Sequence, residues 1–336
     1  MAVDHGRLGV HEYRRDVRPK TLVLPDGNSA GRAGTDEYER PTGGVYQMFD
    51  LAGMPLLRYE GREPLTKKNV KNSVAYVSGV DLLATVTRPQ SIPELVRNSD
   101  FYAGVTGTDC LFNGYASAFQ NGYFRDNNDR LLDPTGHEEL VNELLDSLGM
   151  KLVYAFYTRP AYTGVAFPED LGLETWNHVT ERFGDIENRS FVRRLFSNNG
   201  NGNPVLVTEY TDLTERVLKS NGLSGRFRVM WVPGSCENYV TGGVADGILD
   251  TIERGNSMHD GGLRVLEPLV SIHYPVMFMR KDTPYDVAEH IYEIRDALTE
   301  GAKKMPPESF QPKLDHKMLG WKDDSQTPPE YATPKA

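Results

Sequence analysis

The stretch Val232–Leu263, VPGSCENYVTGGVADGILDTIERGNSMHDGGL, decides how the chain is read. It opens on a Gly-Ser-x-Glu turn, Gly234 to Glu237, and continues into an apolar run. Val244, Ile248, Leu249 and Ile252 are expected to be buried there. Asp250 and Glu253 come where that run ends. The next residues, Arg254-Gly-Asn-Ser257, offer backbone N–H groups, a glycine without Cβ and a hydroxyl. A strand-to-helix transition of this composition suits a phosphate or an oxyanion. Acids beside it suit sugar hydroxyls or a magnesium ion better than the phosphate itself.

Outward from this stretch the chain alternates short apolar runs with amphipathic ones. Thr21–Leu24 reads as a strand, and Pro25-Asp-Gly-Asn-Ser29 as the turn at its carboxyl end. Open α/β sheets place ligands at such ends. Val45–Leu57 has near-helical spacing. Val80–Val86 is a strand, Ser91–Val96 a capped helix with proline near its start, and Phe101–Leu111 a strand, glycine turn and helix. Arg58–Asn72 is charged and reads as surface. His137–Leu148 carries a clear apolar stripe, and Lys151–Phe156 and Tyr162–Phe167 read as strands. Asp170–Phe196 reads as mostly helical or irregular, and Ser197–Pro204 as a loop. Val205–Tyr210 and Arg226–Val232 flank a helix over Thr211–Gly222. Arg264–Met279 is expected to form two strands or one bent one, and Thr283–Lys303 a helix. Repeated βα units imply α/β architecture with mainly parallel sheets.

The chain has 336 residues, 39% hydrophobic and 25% charged, which fits a globular protein of two domains. Its formal net charge of −10 argues against a nucleic-acid partner. The two cysteines, Cys110 and Cys236, make neither a disulfide framework nor a metal quartet, and the histidines lack zinc spacing. No apolar run approaches a membrane span, and the first residues lack a signal-peptide h-region, so a cytoplasmic location is expected.

Several blocks resemble the catalytic core of the ATP phosphoribosyltransferase family. They are Leu24-Pro-x-Gly27, Arg88-Pro-Gln-Ser-Ile-Pro93, Ala103-Gly-Val-Thr-Gly-x-Asp109, Val207-Thr-Glu-Tyr-x-x-Leu-Thr214, Gly234-Ser-x-Glu237 and Ala245-Asp-x-Ile-x-Asp250. They stand in the family's order across roughly residues 21–280. The resemblance implies two α/β domains with a cleft between them, in a periplasmic-binding-protein-like (type II) arrangement. It implies an N-terminal arm over 1–20 and a discontinuous first domain, 21–160 plus 264–304, on the nucleotide side. The second domain, 161–263, would bind phosphoribosyl pyrophosphate (PRPP), and 305–336 would be a tail with little core.

The activity implied is magnesium-dependent transfer from PRPP to N1 of ATP or a related purine nucleotide, with loss of pyrophosphate. Asp250 and Glu253 would hold the ribose hydroxyls, with Glu237 facing the same pocket. Arg254, Gly255, Asn256 and Ser257 would cradle the 5-phosphate. Asp26, Gly27, Asn28, Arg62, Gly107 and Asp109 would line the nucleotide side. No metal ligands are expected from the protein alone; Mg²⁺ would enter through PRPP. A homo-oligomer, with room for a separate regulatory subunit, is implied as well.

Two positions depart from the family pattern. Pro25-Asp-Gly-Asn28 lacks the cations usual in the first turn, and Arg254 stands where the phosphate loop usually has a small hydroxyl residue. These changes bear on the acceptor more than on the phosphorylated ribose. They leave open a histidine pathway, a nucleoside-antibiotic pathway, or a catalytically degenerate nucleotide-binding module.

Overall fold

The computed structural model describes residues 21–26, 44–59, 74–80, 82–115, 134–158, 160–183, 203–253, 255–267, 269–310 and 316–321. Among these residues the strands form two sheets. The first contains β1 (Thr21–Pro25), β2 (Leu56–Arg58), β3 (Val74–Val77), β4 (Leu82–Thr87), β5 (Ala103–Gly107), β6 (Met150–Ala155) and β13 (Pro275–Arg280), ordered β2-β3-β4-β1-β5-β13-β6. The second contains β7 (Ala161–Pro168), β8 (Val205–Thr208), β9 (Arg228–Trp231), β10 (Gly247–Ile252) and β11 (Leu263–Val265), ordered β11-β7-β10-β8-β9. A further strand, β12 (Ser271–His273), pairs with β7.

Both sheets have the same core. In the first, β1 lies parallel to β4 and β5, and β13 enters antiparallel between β5 and β6. In the second, β8 lies parallel to β9 and β10, and β7 enters antiparallel between β10 and β11. Each core thus takes one reversed strand that follows directly on the other sheet. The chain passes from β6 to β7, and later from β12 to β13. This is the two-domain, type II arrangement. The second sheet keeps the chain through His273, past the handover expected after Leu263. The reason is local: Arg264–Met279 divides into three strands, and two of them stay on β7.

Period-two patterning explains the layers. On β1, Leu22 and Leu24 face one core with Met48, Phe49, Ile294 and Leu298; Val23 faces the other with Ile92, Leu111 and Leu144. Helices Val45–Leu51 and Tyr285–Ala302 therefore cover one face, and Ile92–Asn98, Thr108–Gly114 and Pro134–Ser147 the opposite one. The second sheet divides in the same way: Leu206 and Leu249 face one side, and Val205, Val207, Ile248 and Ile252 the other.

The sequence reading missed β2 and β3. Both are short, and β2 starts within the expected helix Val45–Leu57, which stops at Leu51. Val244, expected to be buried, is 44% exposed. It lies in the turn that closes helix Cys236–Thr241, where Val244 and Ala245 both donate to the Tyr239 carbonyl. The expected tail also packs: Met305 joins the first core, and Leu319 and Trp321 join the second. Among the described residues no helix is long and apolar enough to cross a membrane.

Candidate functional site

The carboxyl ends of the parallel strands converge on one cavity of about 480 Å³ between the sheets. Asp26 follows β1, Arg88 and Gln90 follow β4, and Asp109 follows β5. From the other side, Glu209 and Tyr210 follow β8, Ser235 and Glu237 follow β9, and Glu253 and Ser257 follow β10. Asp250 and Thr251 reach the cavity from within β10. His273, Tyr274, Pro275 and Thr158, at the two passages between the sheets, also line it. Successive βα units open at one edge, so residues far apart in sequence share a wall.

Of the residues singled out from sequence, Asp26, Gly107, Asp109, Glu237, Asp250, Glu253 and Ser257 line this cavity. Gly255 is buried behind it, and Asn256 is exposed and lies outside the lining. Gly27, Asn28, Arg62 and Arg254 lie outside the described residues. The lining residues not singled out include Arg88, Gln90, Glu209, Tyr210, Ser235, Thr251 and His273. Arg88, Gln90, Glu209, Tyr210 and Ser235 stand inside the blocks quoted above, next to strand ends, which was the signal available for them.

Asp109 bridges the two walls. Tyr210 Oη donates to Asp109 Oδ2 at 2.8 Å, and Thr251 Oγ1 lies 3.0 Å from Tyr210 Oη and 3.5 Å from Asp109 Oδ2. Gly107 makes room for this, because a Cβ there would overlap Asp109 Oδ1. Gln90 Nε2 donates to Glu209 Oε2 across the cleft at 3.3 Å. Asn113 Oδ1 accepts from the backbone of Asp212 and Leu213 at 3.2 and 3.3 Å.

The cavity carries six carboxylates, Asp26, Asp109, Glu209, Glu237, Asp250 and Glu253. Among the described residues its basic side chains are Arg88 and His273. Burial pushes the Asp250 carboxyl up to about 7; repulsion from Glu209 and Glu237 adds to this, and the Thr251 N–H, 2.7 Å from Oδ1, opposes it. Burial also raises Asp109, against the Tyr210 hydroxyl, and raises Glu209, with Asp109 adding and Arg88 opposing. Burial holds His273 down at about 3, where Thr108 Oγ1 and Ser271 Oγ contact its two ring nitrogens at 3.1 and 2.6 Å.

Carboxylates in this setting can accept hydrogen bonds from hydroxyl groups and can stabilise positive charge that develops nearby. Among the described residues no group of three or more His, Cys, Asp or Glu side chains could hold a metal ion. Mg²⁺ needs no such cage, since it commonly takes one or two carboxylates together with substrate phosphates and water. Asp250 and its acidic neighbours have the donor chemistry for that kind of attachment.

The solved structures similar to this one include the ATP phosphoribosyl transferase (HisG:HisZ) complex from Thermotoga maritima, at 15% identity and a TM-score of 0.49, covering 85% of this chain and 99% of that one. An amino acid ABC transporter substrate-binding protein from Streptococcus pneumoniae bound to L-arginine matches at 10% and 0.42, covering 87% and 94%. A TRAP periplasmic solute-binding protein from a Sulfitobacter species with bound β-D-galacturonate matches at 9% and 0.42, covering 84% and 80%. At such distances these likenesses bear on neither substrate nor mechanism. No curated protein matches the chain by sequence. A family model does: HisG, ATP phosphoribosyltransferase, over residues 165–300. That segment runs from β7 through β10 and the cleft residues Glu209, Glu237, Asp250, Glu253 and Ser257 into the helix Tyr285–Ala302, and over it the chain is similar to the ATP phosphoribosyltransferase family.

Proposed function

We propose that the protein is a phosphoribosyltransferase joining PRPP to N1 of ATP or a related purine nucleotide. The observation that carries this reading is that the segment matching the family supplies the acidic wall of the cleft, with Asp250, Glu253 and Ser257 together around the end of β10. In the reaction, the bond from ribose C1 to the pyrophosphate oxygen breaks and its electron pair leaves with pyrophosphate. The acceptor nitrogen supplies the pair for the new C1–N bond. Positive charge builds at C1 and the ring oxygen between these events.

Asp250 and Glu253 accept the ribose hydroxyls, and Ser257 donates to the 5-phosphate. Fixing the ribose this way presents C1 to the acceptor, so the gain comes from positioning and charge. Glu237 faces the same pocket. Asp109 and Gly107, with Asp26 nearby, border the acceptor from the first wall. Mg²⁺ bound to PRPP would neutralise the departing pyrophosphate. Arg88 adds a fixed cation on the first wall. We extend the reading to assembly, as a homo-oligomer able to take a separate regulatory subunit, and to histidine or nucleoside-antibiotic biosynthesis.

The test is direct. Purified protein with PRPP, Mg²⁺ and ATP is expected to release pyrophosphate and to form the absorbance of an N1-ribosylated adenine. PRPP binding without turnover on any purine nucleotide would overturn it. A second reading is favoured by the ratio of six cleft carboxylates to Arg88 and a buried His273 among the described residues. In that reading the cleft binds nucleotide without chemistry, as a degenerate module. It predicts calorimetric binding and no pyrophosphate, and restoring a cation at Asp26 would then increase phosphate affinity.

A further inference from the structure

We infer that residues 316–321 form a positioning element for the wall of the cleft that carries Glu253 and Ser257. This rests on the phosphoribosyl reading only for what the wall binds. The turn His316–Leu319 packs on β11 and on the short helix Asn256–Asp260 that follows β10. Gly255 sits at the contact with φ +91, and a Cβ there would come 2.9 Å from Leu319 Cδ2 and 3.1 Å from Met318 Cβ. The start of this helix is thus held between the cavity, which Ser257 lines in front, and Met318 and Leu319 behind.

The attachment is built like core. Leu319 is fully buried, and Trp321 is buried among the same cluster as Met258, Leu263 and Val265. The indole Nε1 of Trp321 donates to the Val265 carbonyl at 2.8 Å. Gly320, with φ +73, turns the chain closely over Arg264, where a Cβ would lie 3.1 Å from Cγ. Met258 anchors the short helix Asn256–Asp260 in the same cluster, and Leu319 adds a contact at the positive-φ glycine that leads into it, so the placement of Glu253 and Ser257 depends also on a segment remote in sequence.

The experiment compares the full-length protein with Leu319→Ala and Leu319→Met, using amide hydrogen exchange without ligand. Leu319→Ala is expected to speed exchange over 253–260 by roughly tenfold or more while β8 and β10 stay protected; Leu319→Met is expected to restore protection. Trp321→Phe keeps an aromatic ring but removes the N–H to Val265 together with part of the indole bulk, and is expected to give a smaller change in the same segment. Should Leu319→Ala fold poorly, Trp321→Phe decides alone. Wild-type exchange over 253–260 in these variants, or an equal rise across β8 and β10, would overturn the proposal.

In the transfer assay Leu319→Ala is expected to raise the KM for PRPP about tenfold with kcat within about twofold. Absence of transfer by the wild-type protein would count against the function proposed above, and the exchange measurement would still decide the positioning role.

Discussion

At the ends of β1, β4 and β5 the first sheet offers the cleft Asp26, Arg88, Gln90 and Asp109; at the ends of β8, β9 and β10 the second offers Glu209, Tyr210, Ser235, Glu237, Glu253 and Ser257. The five-strand core behind both walls has the same order. Topology therefore fixes where side chains meet, and the residue at each strand end fixes what they can do. The two walls also use their buried acids differently. Asp109 is engaged across the cleft by Tyr210 and Thr251. Asp250 is held within its own wall by the Thr251 N–H, among like charges. The first acid joins the halves, and the second stays within one wall of the cavity.

Exchanging the two acids gives the largest expected contrast. Asp250→Asn keeps the shape and removes the charge, and turnover in the pyrophosphate assay should fall by about two to three orders of magnitude. Asp109→Ala leaves the buried Tyr210 hydroxyl without its carboxylate, so its main effect should be a stability loss of about 1–3 kcal/mol in denaturant titration. The reverse pattern would break the distinction between a joining acid and a working one.

Next in size comes pH. Asp250 titrates at about 7 in the folded protein, above its ordinary 3.8. The folded state then holds a proton that the unfolded chain has released, so this group's stabilisation is present at low pH and is lost as pH rises through about 7. His273 has the opposite sign. Its folded value of about 3 lies below the ordinary 6.5, so stability is lost as pH falls below 6.5 toward 3. The difference in unfolding free energy between Asp250→Asn and the wild-type protein isolates the acid. That difference should move in favour of the variant by about 3 kcal/mol from pH 5 to pH 8. A difference independent of pH would mean that Asp250 is ionised as freely as a surface acid.

The sequence carried the wall of the second sheet better than the wall of the first. Asp250, Glu253 and Ser257 fall within one contiguous run, where spacing and composition speak together. Asp109 was legible as a residue after a glycine turn, but its partner Tyr210 lies 101 residues away, and nothing local announces that pairing. Glu209 stands at the end of the expected strand Val205–Tyr210, and nothing local distinguishes it from any other acid at a strand end. The reversed strands β7 and β13 were readable as strands, but which sheet each entered was not, since that depends on pairing between distant segments. Leu319 and Trp321 bracket a glycine within a charged stretch, and that short apolar cluster was the available sign that the segment packs. Gly27, Asn28, Arg62 and Arg254 lie outside the described residues.

A smaller test uses a glycine that each sheet places at a crowded point. A Cβ on Gly104, in β5, would stand 2.6 Å from Ile92 Cγ2 and 2.9 Å from Val96 Cγ2, both from the helix Ile92–Asn98. A Cβ on Gly164, in β7, would stand 2.6 Å from Ile252 Cδ1 and 2.9 Å from Val265 Cγ1. Each Gly→Ala change should cost about 1–3 kcal/mol by overpacking. Their effects on catalysis should differ. Ile252 is the residue before Glu253, so Gly164→Ala should also weaken PRPP binding, whereas Gly104→Ala pushes on a helix and should leave the surviving folded enzyme close to normal. Equal catalytic losses would show that the cleft senses strain in either sheet alike.

The smallest effect expected is at Asn113, where the two halves meet away from the cavity. Helix Thr211–Ser220 has no side-chain cap of its own at its N-terminus. The carbonyl oxygen of Asn113, from the opposite half, accepts from the N–H groups of Asp212 and Leu213 instead. A cap usually acts within one segment, and here it ties the first turn of a helix to the other domain. Asn113→Ala should therefore lower stability by about 1 kcal/mol and speed amide exchange at Asp212 and Leu213. Asn113→Asp keeps an acceptor and places negative charge at a helix N-terminus, so it should retain most of the protection. If both variants exchange like the wild-type protein, the contact is incidental, and the coupling of the walls rests on Asp109, Tyr210 and Thr251 together with the Gln90–Glu209 contact.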